Sequence, residues 1–329
     1  MDKSICSRIK AAFCRIITHR SGTGILSGIT NIRLATLFDT GMTHDPLDEI
    51  LTLTVQTNRN ADPEFIRQIH YHIEEIFSGV SPGFQASSTK YHNLRHTQSV
   101  VLATIRLFHG LMLDNHHLPP HIIEQTLLSA YFHDTGLLLQ TSETADSGAS
   151  YTKFHEARSI KFMNQYLDSL KAPKNLRDDC ATIIKFTNLR IDPNTLQVSS
   201  DVIRLGGRVL GSADILAQMA NRYYLERLPL LHQEHLTGGI REHASPLDLM
   251  RHTVDFYQNV IEKRLQETFG NISLSMRTHF LNRWQIDQDL YRTNISRNID
   301  YLNKIITHCA VGNKCLEKYL RRTPPPDSY

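Results

Sequence analysis

Apolar residues recur at helical spacing over residues 62–79, 94–113, 121–139, 155–170, 176–186, 206–227, 246–269 and 275–308, while the strict alternation of a strand is scarce. The pattern predicts an all-α chain. The segments between the helices carry turn chemistry: Gly79-Val80-Ser81-Pro82-Gly83, Pro119-Pro120, Asp192-Pro193-Asn194 and Gly238-Gly239. Leu228-Pro229-Leu230-Leu231 reads as a further break, and there is no internal repeat.

A few polar residues interrupt the apolar runs. His96 lies in Tyr91-His92-Asn93-Leu94-Arg95-His96-Thr97, at the head of the segment 94–113. At about 3.6 residues per turn, His92 and His96 share one helix face. His133-Asp134 interrupts Leu127-Leu128-Ser129-Ala130-Tyr131-Phe132 near its end, and Asp214 stands alone among Gly211, Ser212, Ala213, Ile215 and Leu216. A bare carboxylate in such surroundings is costly unless it is paired or bound to a cation. A buried salt-bridge network would meet that need, and so would a metal. Two imidazoles and two carboxylates suit zinc, iron, manganese or a zinc and magnesium pair.

The order His96, His133-Asp134, Asp214 resembles the HD superfamily of metal-dependent phosphohydrolases. Within it, the Tyr91-His92-Asn93-x-x-His96 box is similar to the signature of the class I cyclic-nucleotide phosphodiesterases. The resemblance covers roughly residues 60 to 270. It implies an HD-domain, phosphodiesterase-like helical bundle with a central site for one or two divalent ions (Zn, Mg, Mn or Fe). By the same resemblance His96, His133, Asp134 and Asp214 are metal ligands, with Asp134 bridging to a second ion and His92 acting as proton donor. His155 corresponds to an additional histidine of dinuclear members, with Glu156 hydrogen-bonded nearby; read as a helix start, the same pair is ordinary. The implied activity is hydrolysis of a nucleotide-like phosphoester: hydroxide at the metal centre attacks phosphorus and His92 protonates the leaving oxygen. Two departures stand out. No His-Pro-Gly element follows His133-Asp134, and Leu138 occupies the place where mononuclear members carry a catalytic acid. The same ligand order also resembles the di-iron oxygenases of the superfamily, and a non-catalytic nucleotide sensor would retain it too.

Candidates for holding the substrate are Asn93 in the box, Gln218 one turn beyond Asp214, and Arg158 and Lys185, whose fixed positive charge could clamp a phosphate. Solvated surface placement is the competing reading for the last three.

Composition narrows the remaining classes. The chain has 329 residues, 40% of them hydrophobic, with a formal net charge of +3. That charge is too small to imply nucleic-acid binding, and no run approaches the roughly 18 apolar residues of a membrane span. Cys6, Cys14, Cys180, Cys309 and Cys315 lack metal-ligand spacing and read as reduced thiols in a cytoplasmic protein. The organisation expected is a basic, partly mobile extension over 1–58, a catalytic domain over 59–270, and C-terminal helices over 271–329 ending in a disordered tail. Those helices could pack on the catalytic body or on a second copy of the chain. In the extension Lys3, Arg8, Lys10, Arg15 and Arg20 outnumber Asp2, and Ile5, Ile9, Phe13, Ile16 and Ile17 give a rough apolar face that could touch a membrane or a partner.

Overall fold

A computed structural model describes residues 46–309 and 315–323. These residues are helical throughout, with one isolated antiparallel bridge between Phe84 and Gln140 as the sole β pairing among them. The helices are α1 (Pro46–Thr57), α2 (Pro63–Ser78), α3 (Leu94–Leu113), α4 (Pro120–Phe132), α5 (His155–Ser169), α6 (Lys174–Ile184), α7 (Asp201–Met219), α8 (Tyr224–Thr237), α9 (Pro246–Phe256), α10 (Ser275–Trp284), α11 (Leu290–His308) and α12 (Leu316–Tyr319). None is long and apolar enough to cross a membrane.

Local chemistry explains where the helices start and stop. The Asp62 carboxylate accepts the N–H groups of Glu64 and Phe65 at the head of α2, and Gly79, at φ 73°, closes it in the left-handed conformation. Between these caps Ile66, Ile69, Ile73, Ile76 and Phe77 form one buried stripe. By contrast α3 is buried nearly all round, because α1, α4, α7 and α10 pack against it. It is the axis of the fold. Helices α3, α4 and α7 also pack on one another, so the three segments carrying the candidate ligands meet in the core.

Helix α1 belongs to that core. Leu47, Ile50, Leu51, Leu53 and Thr54 are buried against the body, so residues 46–57, which fall in the expected extension over 1–58, pack with the core. Residues 1–45, with the basic amphipathic stretch, and the tail 324–329 lie outside the described residues. The fully buried guanidinium of Arg106 (α3) forks onto Glu49 (α1) at 3.0 and 3.1 Å and donates to the Tyr291 hydroxyl (α11) at 3.1 Å. Removing one partner of a buried ion pair leaves a desolvated charge behind. Glu49→Ala is therefore expected to lower stability by about 3–5 kcal/mol, read as a shift in the urea unfolding midpoint with unchanged slope.

The segment 275–308, read as C-terminal helices, is divided in two where Gln285 turns left-handed (φ 57°) and Asp289 caps a new start. Two other expectations change. The expected break at Leu228-Pro229-Leu230-Leu231 lies inside α8. Cys309 and Cys315 form a disulfide rather than standing as free thiols. The end of α11 and the start of α12 bring them side by side. Cys180 is free and buried, and its thiol is pushed up to about 12 by that burial.

Candidate metal centre

The loop before α3 is tied down before the helix begins. The Asn93 carbonyl accepts the His96 N–H at 3.1 Å and its amide donates to the Lys90 carbonyl at 3.3 Å. Asn93 thus caps the helix and fixes the position of His96, both ends of its side chain bonding to the backbone. At the other side α4 ends at Phe132. The His133 Nδ1–H donates to the Ala130 carbonyl at 2.7 Å and the Thr135 hydroxyl to the Phe132 carbonyl at 2.8 Å, satisfying last-turn acceptors. The tautomer this selects leaves the lone pair on His133 Nε2. It also leaves Asp134 at the negative end of the α4 dipole, where a carboxylate calls for a cation.

The side chains from α3, α4 and α7 converge. His96 Nε2 lies 3.2 Å from Asp214 Oδ1 and 3.3 Å from Asp134 Oδ2; His133 Nε2 lies 3.3 Å from Asp134 Oδ2 and 3.8 Å from Asp214 Oδ1. Bonds of about 2.1 Å to one ion place neighbouring donors about 3.0–3.4 Å apart, close to this spacing. His133 Nε2 and Asp134 Oδ2 are fully buried and have no hydrogen-bond partner, as expected of atoms aimed at a common cation rather than at each other. His96, His133 and Asp214 alone bring one ligand atom each within 4.8 Å of one another. The residues present therefore fit a divalent metal.

Asp134 faces two ways. While Oδ2 points at His96 and His133, Oδ1 lies 3.4 Å from His155 Nε2. His155 donates through Nδ1 to the Thr152 carbonyl at 2.9 Å, and Glu156 Oε2 lies 3.5 Å from that nitrogen. His155 reaches the site because α5 packs on the turn after Asp134: a Cβ on Gly136 would meet the His155 carbonyl oxygen at 2.0 Å.

Electrostatics follow from the shared burial. Burial alone would lower His133, but the Asp134 charge beside it wins and the imidazole is pushed up to about 9. His155 is likewise up at about 9, burial again being outweighed by Asp134. Burial would raise Asp134, yet the charge of His133 holds it well below the usual carboxylate range. Without a cation among them, then, these imidazoles hold protons at neutral pH, and each must shed its proton before it can ligate. Cation affinity is expected to climb as pH rises from 6 toward 9 and to level off above that. Calorimetric titration at pH 6, 7.5 and 9 checks it; affinity independent of pH would contradict the placement of His133 and His155.

His92 stands just outside the ligand cluster, its ring 5.7 Å from that of His96 and 6.4 Å from that of His155. Its Nδ1 is 2.8 Å from Glu234 Oε2, and the other Glu234 oxygen accepts the Tyr91 N–H at 2.6 Å. Burial would raise Glu234, but the hydrogen bond from His92 lowers it, so the carboxylate stays charged. Arg227, one helical segment away on α8, donates to the Tyr91 carbonyl and stacks over the Tyr91 ring. Helix α8 thus clamps the box from both sides, through residues the sequence reading does not single out.

The substrate-binding candidates divide. Gln218 is half-buried one turn after Asp214, on the same face of α7. Arg158 is spent elsewhere: four of its five N–H groups go to both Glu143 oxygens and to the Gly136 and Leu138 carbonyls, and it stacks on Tyr151 at 3.6 Å. It braces the turn after Asp134 and is not free to clamp a phosphate, a correction to its expected role. Lys185 is exposed at the end of α6. No protein-family model, curated protein or solved structure matches the chain.

Proposed function

We propose that the protein is a metal-dependent phosphohydrolase, a phosphodiesterase acting on a nucleotide-like phosphoester. The observation that carries this reading is the pairing of two features: His96, His133 and Asp214 gathered within 4.8 Å of one another with Asp134 beside both histidines, and next to them His92, which is outside that group and held by a buried carboxylate. A cation in the cluster would bind phosphoryl oxygens and make bound water acidic near neutral pH. His96, His133, Asp134 and Asp214 would hold it. Asp134, through Oδ1, and His155 would hold a second ion.

In this scheme the chain's own acid is His92. Glu234 accepts the Nδ1 proton, which fixes the ring and leaves Nε2 to deliver a proton to the departing alkoxide. Half-buried Gln218, one turn past Asp214, offers an amide to the substrate. The test is hydrolysis of bis-p-nitrophenyl phosphate and of a panel of cyclic and linear nucleotides by the full chain, with manganese, magnesium, zinc or ferrous iron added in turn. Metal-dependent release of product that is lost with Asp214→Asn supports the reading. Iron-bound protein that consumes oxygen and hydrolyses nothing would replace it with the oxygenase reading; nucleotide binding without turnover would replace it with a sensor.

A further inference from the structure

A second group of ligand-type side chains lies where α8 passes into α9. His243 is in the connecting loop, Asp248 in the first turn of α9, and His252 one turn further along the same helix. One ligand atom from each lies within 4.8 Å of the others, a spread that small side-chain rotations bring onto one ion with bonds of about 2.0–2.2 Å. The two imidazole rings are 4.9 Å apart, inclined at 44°.

The separate contacts are those of ligands rather than of a finished hydrogen-bond network. His243 Nδ1 is buried without a hydrogen-bond partner and lies 4.0 Å from Asp248 Oδ2. That is too long for a hydrogen bond and somewhat wider than the roughly 3.0–3.4 Å between neighbouring donors on one ion, a gap that side-chain rotation would close. His252 Nδ1 is 3.5 Å from Asp248 Oδ1 and is held by the Asp248 backbone carbonyl at 2.9 Å. The Ala244 N–H donates to Asp248 Oδ2 at 2.9 Å and keeps the carboxyl below its ordinary range, with His252, His243 and Arg251 as further positive neighbours. Burial lowers His243, with the charge of His252 as a further cause. Glu242 adds a second negative charge next to His243.

We infer that His243, Asp248 and His252 bind a divalent transition metal of the zinc class, with water completing the coordination. The ion serves as a staple. His232 of α8 donates from Nε2 to the His243 carbonyl at 3.0 Å, so joining His243 to α9 also ties down α8, the helix that carries Glu234. The site shares no residue with the centre formed by His96, His133, Asp134 and Asp214, and it does not depend on the reaction proposed for that centre.

The test is equilibrium dialysis of the full chain against zinc, with metal counted per chain, for the unaltered protein and for His252→Gln and His243→Gln. His252 is the most exposed of the three ligands, so His252→Gln keeps the fold, which its metal-free melting temperature verifies. Each variant is expected to hold one zinc fewer than the unaltered chain at a concentration that saturates the latter, affinity falling by at least about tenfold. Cobalt bound to an Asp214→Asn chain reads the site separately: its visible absorption should disappear in Asp214→Asn combined with His252→Gln. Undiminished zinc content in His252→Gln overturns the inference, as does an unaltered chain whose zinc is all lost with Asp214→Asn. Hydrolysis retained by a His252→Gln chain that has lost one zinc leaves the functional reading standing and supports the separate site.

Discussion

Asp134→Asn is expected to strip metal from the centre it shares with His96, His133 and Asp214 and to lower phosphodiester hydrolysis by at least about a thousandfold, which is roughly 4 kcal/mol of lost transition-state stabilisation. The substitution keeps the volume of the side chain and removes only its charge, so the loss cannot be laid to a cavity in the packing of α4. Asp134 has histidines on both of its oxygens, His96 and His133 on one side and His155 on the other. Its amide would leave both directions without an anion at the negative end of a helix dipole. Metal content by elemental analysis, together with turnover at saturating manganese, checks the expectation. A variant that retains both metal and turnover would remove Asp134 from the centre.

The second large effect separates acid catalysis from metal binding. His92→Ala should lower kcat by about 10²–10⁴ while the metal content per chain stays that of the unaltered protein, because His92 is not among the converging ligands. Glu234→Gln should produce a smaller loss of the same kind by freeing the ring. The signature lies in the leaving group. p-Nitrophenolate departs without a proton whereas a sugar alkoxide does not, so both substitutions should hurt an alkyl ester far more than an aryl one. Equal losses on the two substrates would show that His92 only orients other groups.

The side chains that meet in the core were legible because a histidine or carboxylate inside an apolar helical run is conspicuous whatever the tertiary structure; Asp214 among Ala213, Ile215 and Leu216 is the clearest instance. Glu234 was not, since it meets His92 across 142 residues and its own helix is one the sequence conceals. Pro229 marks a break by the usual rule, yet it sits inside α8 and the helix runs on past it to Thr237, at the cost of the backbone bond that its missing N–H would have made. Arg158 shows the opposite failure. Its charge suggested a phosphate clamp, and only the fold reveals that Glu143, 15 residues earlier, takes both arms of the guanidinium. Helix α1 carried a readable stripe in Leu47, Ile50 and Leu51, hidden by its attachment to a basic segment of different character. The boundary inside 275–308 could not be placed from the pattern, because its apolar spacing runs on across the left-handed residue Gln285.

The unequal exposure around Asp134 sets an order of events. His96 and His133 are sealed in the core, whereas the His155 side chain keeps 18% of its surface and that of Asp214 21%. Ions held by the two oxygens of Asp134 would therefore exchange with solvent at different rates. The one beside His155 should leave first, and the one between His96 and His133, open to solvent only at Asp214, should leave more slowly. A stopped-flow trace with a fluorescent chelator would be biphasic.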